Sequence, residues 1–543
     1  MGSPFKHGQL SCSTTLESIA SQAKCLAVSL NIKADRLVER YQLHYVYALS
    51  LRVQDTEVDK VKKNLFEKIL SFFVILFFVR AFSALIKPFL PFDLPHVWRQ
   101  VDTLGVSIRY WLRWTAESEL HHPLVPAVLN SMDGYAIMPM EFPLLNLMGA
   151  PFFVFGPFLG KVLALLFLVI LNFALTWLCY KVWRDKEILG HKVGPAFLLL
   201  PVVGISSTFV TKFMPDYLAM ILALLGVGLL WERPACDLQS VGRKTWIQAL
   251  AASLLIMLGM LVKPTAVTVL VLLFMHEGTM FERSKRILWT MVPLIIVALY
   301  YTVGLKWIAS LQDTSGLYAV EPRPPLASVI DFFSQPKPLF KLIFEDLLFV
   351  GSPVLLLCSL PLLESASRKA LYWLLGAIFL QLIAIAALDG SHSYVHSYYH
   401  IGTAPVVVLS LMFVLRGVTF IQEPMRLRRM KIAVVALFAL GSASLMYQNL
   451  FFELRSLSAR RASRFIWHSE VEALKSGNPD LPWGQGYVFR ASRKLAYPNL
   501  GILFGEREGS STSEFGFFLI DEVPSEGCRV IDQSQNVALV RCL

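Results

Sequence analysis

Charged residues are scarce in this chain. Asp, Glu, Lys and Arg make up 16% of its 543 residues, against about a quarter in an ordinary soluble domain. The mean hydropathy is +0.55, and the apolar residues form many runs of about twenty, the length that crosses a ~30 Å hydrocarbon core as a helix. The shortage of charge argues against a soluble multidomain protein. The sequence predicts a polytopic α-helical membrane protein.

Three further features are missing. The seven cysteines form no Cys-x-x-Cys pair and no Cys/His finger, which argues against a structural zinc site. No small-residue cleavage site follows a short apolar core near the N-terminus, so we expect no cleaved signal peptide. The net charge is +11, but the basic residues lie between the apolar runs, where they orient helices in a membrane. We therefore expect no nucleic-acid partner.

The basic residues set the expected topology. About eleven spans are predicted, and each loop expected on the cytoplasmic side carries clustered Lys or Arg, as the positive-inside rule requires. The expected spans are residues 65–86, 159–182, 195–210, 214–231, 246–262, 265–275, 287–305, 339–360, 370–388, 401–415 and 432–451. This orientation predicts a cytoplasmic N-terminus and an external C-terminus.

The chain is expected to consist of three parts. Residues 1–63 form a cytoplasmic extension, residues 64–451 form the transmembrane domain, and residues 452–543 form a small external α/β domain. Within the transmembrane domain, residues 87–158 form a large first external loop. The composition changes at the last boundary, because charge rises there, apolar runs shorten to strand length and turn formers appear.

The C-terminal part also suggests a disulfide. Short strands are expected at residues 515–520, 528–531 and 537–540. A hairpin centred on Gln535 would place Cys528 opposite Cys542, and an external compartment permits a disulfide between residues so placed.

Polar residues gather at the expected outer ends of the spans. Ionisable groups in or at the edge of a span are costly to desolvate and mark functional sites by default. The candidates are Arg99, Gln100, Asp102, Glu141, Asp216, Lys263, His396, Tyr399 and His400. A transporter that alternates access instead places its ligand groups near the bilayer midplane, often at broken helices in two repeats. The sequence shows no internal repeat and almost no mid-span charge.

Most candidates also have a purely structural interpretation. Asp102 fits a solvated loop carboxylate. Glu141 and Asp216 fit helix N-terminal residues, which the backbone dipole favours. Lys263 fits a side chain that snorkels to the lipid headgroups, and Arg99 fits one that stacks on an interfacial aromatic ring.

Three histidines near residue 396 have a spacing that could suit a metal. His392, His396 and His400 have the i, i+4, i+8 spacing of one helix face, which fits metal ligands. However, Gly390 and the neighbouring tyrosines favour a polar loop that merges into a helix. We expect no metal among these residues.

The ordered set of motifs resembles the GT-C class of membrane glycosyltransferases. The set comprises Trp98-Arg99-Gln100-Val101-Asp102, Glu141-Phe142-Pro143 before an apolar stretch, Lys263-Pro264, and His396-Ser397-Tyr398-Tyr399-His400. The order is similar to that of bacterial family 39 enzymes, which include protein mannosyltransferases and the lipid A aminoarabinose transferase.

This resemblance implies a GT-C-like fold and the transfer of a sugar from a polyprenyl-phosphate donor. The acceptor would be a glycan, a lipid or a protein at the outer face of a bacterial inner membrane. Asp102 corresponds by motif position to the catalytic base, and Glu141 to a second acidic residue. The hypothesis assigns the following positioning and phosphate-binding residues: Arg99 and Glu141 for donor or acceptor, and Lys263, His396, Tyr399 and His400 for the lipid phosphate.

Other functions share this plan of helices. A polymerase or ligase of lipid-linked glycans, a flippase or transporter of lipid-linked sugars, and a structural scaffold all remain alternatives. No cofactor is expected. Related oligosaccharyltransferases use a divalent metal, so metal dependence stays open.

Overall fold

The computed structural model describes residues 57–89, 97–115, 127–130, 134–137, 140–189, 191–231, 243–276, 280–311, 324–342, 365–394, 396–419, 489–491, 515–519, 528–534 and 537–542. It divides the chain into two compact units, Met1–Asn64 and Leu65–Leu543. In the first unit, the structure describes residues 57–64, which form the start of the first helix. The span expected at 432–451 and most of the one expected at 339–360 lie outside the described residues.

The described part of the membrane region is helical. Its α-helices are α1 (Glu57–Ala84), α2 (Val97–Thr115), α3 (Leu144–Gly149), α4 (Pro157–Trp183), α5 (Gly204–Phe209), α6 (Pro215–Trp231), α7 (Arg243–Val262), α8 (Val271–Phe274), α9 (Met280–Leu299), α10 (Leu305–Ser310), α11 (Pro325–Phe333), α12 (Pro336–Lys341), α13 (Ser365–Asp389) and α14 (Ala404–Thr419). Short 3₁₀ segments join them at Lys87–Phe89, Ala150–Phe155, Gly194–Leu199, Pro264–Leu270, Gly390–Tyr394 and Ser397–Thr403, and a π-helical turn at Tyr300–Gly304 joins α9 to α10.

Four of the described helical stretches are long and apolar enough to cross a membrane. They are Ser71–Phe89, Leu159–Trp183, Arg286–Ser310 and Arg368–Ala387. Shorter apolar helices occur at Leu144–Phe155, Pro215–Trp231, Trp246–Val262, Pro264–Phe274 and Tyr398–Val414. The chain is therefore a polytopic helical membrane protein. The count of eleven spans remains a prediction.

The expected spans at residues 195–210 and 265–275 are broken into short helical pieces. Residues 195–210 form a 3₁₀ segment that ends at Leu199 and then the short helix α5, which begins at Gly204, where a φ of +65° favours glycine. Residues 265–275 form the 3₁₀ segment Pro264–Leu270 and one turn of α-helix. Proline lacks the backbone N–H that a continuing helix would use. Hydropathy detected the burial of these segments but not their geometry.

The centre of the fold is the pair α6 and α7. These consecutive helices pack closely because glycines face the neighbouring backbone: a Cβ at Gly226 would lie 2.7 Å from the Ala252 carbonyl oxygen, and one at Gly259 would lie 2.7 Å from that of Ala219. Small residues allow helix backbones to approach in a membrane. Because α6 and α7 run in opposite directions, the start of α6 and the end of α7 meet at one end of the pair. That end carries the candidate site.

Besides the helices, the described residues form short β-strands. β1 (Ala127–Asn130) and β2 (Gly134–Ile137) form an antiparallel hairpin between α2 and α3, and β3 (Glu187–Ile188) and β4 (His191–Lys192) form a second short hairpin after α4. Near the C-terminus, strands β5 (Phe489–Ala491), β6 (Phe515–Leu519), β7 (Cys528–Ser534) and β8 (Val537–Cys542) form a sheet in the order β5-β6-β8-β7.

The C-terminal hairpin has the predicted facing pair. Cys528 is the register partner of Cys542, as the sequence predicted. β7 extends to Ser534, which pairs with Val537. The turn is therefore tighter than the sequence indicated, and a register shift between Val530 and Asp532 accommodates the extra residue. The disulfide and the external position of this domain stay predictions.

Candidate active site at the meeting of four segments

The centre of the candidate site is the Lys263 ammonium. Lys263 directly follows α7, where Pro264 starts a new 3₁₀ turn and leaves the lysine backbone extended. Its Nζ forms an ion pair with Oε1 of Glu141 and lies 3.8 Å from Oδ1 of Asp216. Asp216 is in the first turn of α6. Three ionisable residues from three separate segments therefore meet at one point.

All three groups are shielded from solvent. The side-chain exposure is 3% for Lys263, 0% for Asp216 and 17% for Glu141. Buried charges are tolerated when they are paired, and here one cation is shared by two carboxylates. With all three groups ionised, the formal charge of the cluster is −1. Such a cluster holds Glu141 in a fixed place. Because the two carboxylates already neutralise the charge of Lys263, only part of that charge is available to a phosphate.

The backbone around Glu141 is held by hydrogen bonds to α7 and the π-helical turn. The Phe142 N–H donates to the Leu261 carbonyl at 3.0 Å. The Tyr300 hydroxyl donates to the Met140 carbonyl at 3.1 Å, and the Tyr301 hydroxyl donates to the Leu261 carbonyl at 2.8 Å. The two residues that flank Glu141 are thus both anchored.

Two tyrosine rings form an aromatic wall beside the ammonium group. Nζ of Lys263 lies 5.0 Å from the ring centroid of Tyr398 and 4.7 Å from that of Tyr399, within the range of a cation–π interaction. The His396 ring centroid lies 5.2 Å from that of Tyr398 and 5.7 Å from that of Tyr399. Of the predicted site residues, Lys263, Tyr399 and His396 therefore lie next to one another.

The tyrosines are positioned by tight packing between two 3₁₀ segments. The Gln381 side-chain amide donates to the Thr268 carbonyl at 2.8 Å and to the Gly402 carbonyl at 3.3 Å, which joins Pro264–Leu270 to Ser397–Thr403. A Cβ at Gly402 would overlap the Thr268 hydroxyl and lie 2.9 Å from the Thr265 carbonyl oxygen. Glycine at 402 is thus required for the close approach that places Tyr398 and Tyr399 over Lys263.

His400 has a different environment. It is completely buried, and its ring centroid lies 6.1 Å from that of Phe332. Tyr394 stacks on the same phenyl ring at 4.4 Å and donates to the Phe332 carbonyl at 2.6 Å. Burial, followed by the nearby Asp331 carboxylate, raises the pKa of Tyr394 to about 12, so this phenol stays protonated at neutral pH. The position of His400 is that of a core residue, whereas His396 faces the aromatic wall.

The helix that carries Arg99, Gln100 and Asp102 is attached to the same region. These residues lie in the first two turns of α2, and Gln100 is 1% exposed. The Asn146 side-chain amide donates to the carbonyl of Thr103, which follows Asp102. Because Asn146 lies five residues after Glu141, α2 is held against the segment that begins with Glu141. The side chains of Arg99 and Asp102 are outside the described set.

Several residues of this arrangement were not among the predicted site residues. Tyr300 and Tyr301 anchor the site backbone, Tyr398 contacts the ammonium group, and Asn146 attaches α2. The available signals were weak: a Tyr-Tyr pair near the end of an apolar run, and a buried amide in an otherwise apolar stretch. Interfacial tyrosines are common in membrane proteins, so neither signal was specific.

The described residues also bear on metal binding. Among the residues that the structure describes, no group of three or more His, Cys, Asp or Glu side chains converges as metal ligands do. In the cluster, the ammonium group of Lys263 lies between the two carboxylates. It occupies the position that a divalent cation bound to both carboxylates would need.

Comparisons with known proteins found similarity in structure only. No family model and no curated protein sequence matches the chain. The chain is similar to ArnT from Cupriavidus metallidurans in the apo state (TM-score 0.46, 11% identity) and bound to undecaprenyl phosphate (TM-score 0.44, 11% identity), each alignment covering 87% of this chain and 98% of ArnT. It is also similar to the archaeal oligosaccharyltransferase AglB from Archaeoglobus fulgidus (TM-score 0.40, 12% identity), over 79% of this chain and 63% of AglB.

Proposed function

We propose that this protein transfers a sugar from a polyprenyl-phosphate donor to an acceptor hydroxyl at the non-cytoplasmic face of the membrane. The observation that carries the proposal is the cluster of Glu141, Asp216 and Lys263, bordered by Tyr399 and His396. Ionisable groups buried in a helical membrane protein are costly to maintain and mark functional sites by default. The ordered motifs that resemble GT-C glycosyltransferases contribute four of these five residues.

The reaction needs two catalytic elements. A base takes the proton of the acceptor hydroxyl as its oxygen attacks the anomeric carbon. The bond from that carbon to the phosphate oxygen breaks, and the polyprenyl phosphate leaves with the bonding electron pair. Cations or hydrogen-bond donors must then stabilise the charge on the leaving phosphate.

We assign these elements to residues of the site. Asp102, on the helix attached beside Glu141, is the base. Glu141, held by Lys263, positions the sugar or the acceptor through hydrogen bonds to hydroxyl groups. Arg99 and His396 stabilise the phosphate, and Lys263 contributes only part of its charge because it is shared between two carboxylates.

The aromatic wall supports a sugar substrate. The Tyr399 ring is partly exposed beside the Lys263 ammonium, which suits the apolar face of a sugar ring or the first isoprene unit of a lipid, and the buried Tyr398 packs behind it. Such surfaces combine apolar area with polar groups that can hydrogen bond. The partly exposed Glu141 carboxylate accepts hydrogen bonds from sugar hydroxyls, while the fully buried Asp216 holds Lys263 from behind.

The base assignment is tested by Asp102→Asn in reconstituted membranes supplied with a radiolabelled polyprenyl-phosphate sugar. A positioned base contributes about 10²–10⁴-fold, so we expect a loss of transfer in that range with normal expression and folding. The matched control is Asp185→Asn, since Asp185 is 68% exposed and lies beyond the end of α4. Near-normal transfer by Asp102→Asn would refute the assignment.

A second measurement separates an enzyme from a flippase. Binding of the labelled donor is measured with and without turnover, and the position of the sugar is followed across sealed vesicles. We expect Asp102→Asn to bind donor without releasing polyprenyl phosphate. Movement of intact donor across the bilayer, with no cleavage of the sugar–phosphate bond, would replace the transferase proposal with the transporter alternative.

A further inference from the structure

A membrane-facing groove lies between α8 and α13. Its volume is about 540 Å³. The α8 side is formed by Val271, Phe274 and the following Met275, and the α13 side by Lys369, Tyr372, Trp373, Gly376 and Leu380. The candidate site uses none of these residues.

The α13 residues of the groove lie along one helix face. Positions 369, 372, 373, 376 and 380 follow the i, i+3, i+4, i+7, i+11 spacing of a single stripe. Gly376 lies in the middle of this stripe, and a Cβ built there would meet no atom within 4 Å. The groove is open because position 376 has no side chain, while Tyr372 and Trp373 project beside it with 56% and 61% of their surface exposed.

The groove changes in character along its length. The exposed Lys369 lies at one end with Tyr372 and Trp373, and Phe379 and Leu380 lie at the other. A cation followed by Tyr and Trp is the pattern of a headgroup region, and the apolar residues beyond it belong to the hydrocarbon core. From Lys369 to Leu380 the helix rises roughly 16 Å at ~1.5 Å per residue, about half of a ~30 Å hydrocarbon core. The groove therefore spans a single leaflet.

The groove and the candidate site lie at opposite ends of the same elements. Lys263 precedes the stretch Pro264–Phe274, and Met275 follows it. In α13, the groove occupies the first half, and Gln381, just beyond Leu380, forms the hydrogen bonds to Thr268 and Gly402 that position the aromatic wall. The groove thus opens to the leaflet opposite the site.

We propose that this groove binds one acyl chain of an anionic glycerophospholipid from the leaflet at the Lys369 end, with the lipid phosphate beside the Lys369 ammonium. The length of the groove matches one leaflet, which suits an acyl chain. The exposed Lys369 supplies positive charge where the phosphate would lie. A lipid in this position packs against α13 at the turns before Gln381 and so supports the helix that positions Gly402.

The experiment is a lipid titration of the full-length protein in detergent, read by native mass spectrometry. Phosphatidylglycerol and phosphatidylcholine with identical acyl chains are compared for the wild type, Gly376→Leu and Lys369→Gln. We expect the wild type to retain phosphatidylglycerol preferentially. Gly376→Leu fills the groove and should weaken retention of both lipids about tenfold. Lys369→Gln should weaken phosphatidylglycerol retention about fivefold, the change that corresponds to the ~1 kcal/mol of one basic residue at an anionic surface.

Two matched controls isolate the groove. Leu288→Phe adds bulk to the membrane-facing surface of α9, where Leu288 is 68% exposed, and Lys181→Gln removes a cation from the last turn of α4. Both should behave as the wild type. Lys369 is exposed, so Lys369→Gln should retain its fold even if Gly376→Leu does not.

Two results would overturn the proposal. One is that phosphatidylglycerol and phosphatidylcholine are retained equally, both by the wild type and by Lys369→Gln. The other is displacement of phosphatidylglycerol by undecaprenyl phosphate in the wild type and not in Gly376→Leu, which would assign the groove to the lipid tail of the donor. The transfer assay of Asp102→Asn is unaffected by either result, so the two proposals fail separately.

Discussion

Replacing Lys263 by Met should destabilise the protein, because it removes the cation that Glu141 and Asp216 share. The substitution keeps a long side chain and removes the charge, so it leaves Glu141 at 17% exposure and Asp216 at 0% exposure without their shared cation. Breaking a buried pair by removing one partner typically costs about 3–5 kcal/mol. The geometry agrees with this scale, since two unit charges separated by the 3.8 Å between Lys263 Nζ and Asp216 Oδ1 attract by ~4 kcal/mol at an effective dielectric constant of ~20.

The assay is a double-mutant cycle on the free energy of unfolding in mixed micelles. Lys263→Met, Asp216→Asn and the double variant are compared with the wild type. In Lys263→Met the buried Asp216 loses this cation, whereas the double variant no longer carries the Asp216 charge. We therefore expect the double variant to lose less free energy of unfolding than the two single variants added together, with a coupling of about 1–3 kcal/mol. Lys306→Met is the control, because Lys306 is exposed on α10 and surface changes usually stay within about 0.5 kcal/mol.

The cycle also has a clear negative result. Additive effects within about 0.3 kcal/mol are typical of residues that do not interact. Additivity here would mean that Lys263 and Asp216 are not coupled in the folded protein. The description of the site as one electrostatic cluster would then be wrong, whatever the transfer assay showed.

Two other predictions follow from the packing. Gly402→Ala should destabilise the protein by about 1–3 kcal/mol, the usual range for overpacking, and lower transfer, because its methyl group would overlap the Thr268 hydroxyl. Thermal unfolding and transfer assays check this. The glycine control is Gly376→Ala, which lies within α13 with open space around it and should be at least as stable as the wild type, since Ala favours helix over Gly. Cys528 and Cys542 should resist alkylation until a reductant is added, and since the closed loop has about 15 residues, the disulfide should contribute about 3 kcal/mol; two reactive thiols without reductant would disprove the pairing.

The long apolar helices were predictable from the sequence because their signal is local. The expected span 159–182 corresponds to α4 (Pro157–Trp183), and 370–388 corresponds to α13 (Ser365–Asp389). The segment 195–210 was equally apolar, but all of its described residues except Thr208 are buried. Hydropathy cannot distinguish a buried broken segment from a lipid-facing helix, since both exclude water.

The candidate site was predictable in its membership more than in its geometry. Glu141, Asp216 and Lys263 were identified because charge at the end of an apolar run is rare and costly. Their mutual contact depends on tertiary structure, as Lys263 and Glu141 are 122 residues apart in the chain. The sequence suggested a phosphate-binding role for Lys263 because it could not show these contacts. In the structure, the Lys263 ammonium group is shared between two carboxylates.

The π-helical turn at Tyr300–Gly304 has a mechanical consequence. Its two neighbouring tyrosines donate hydrogen bonds to two different segments. Tyr300 donates to Met140, the residue before Glu141, and Tyr301 donates to Leu261, two residues before Lys263. Because one turn bears both hydroxyls, any displacement of this turn would move the segment before Glu141 and the end of α7 in the same direction. The Glu141 carboxylate would then stay with its ammonium partner.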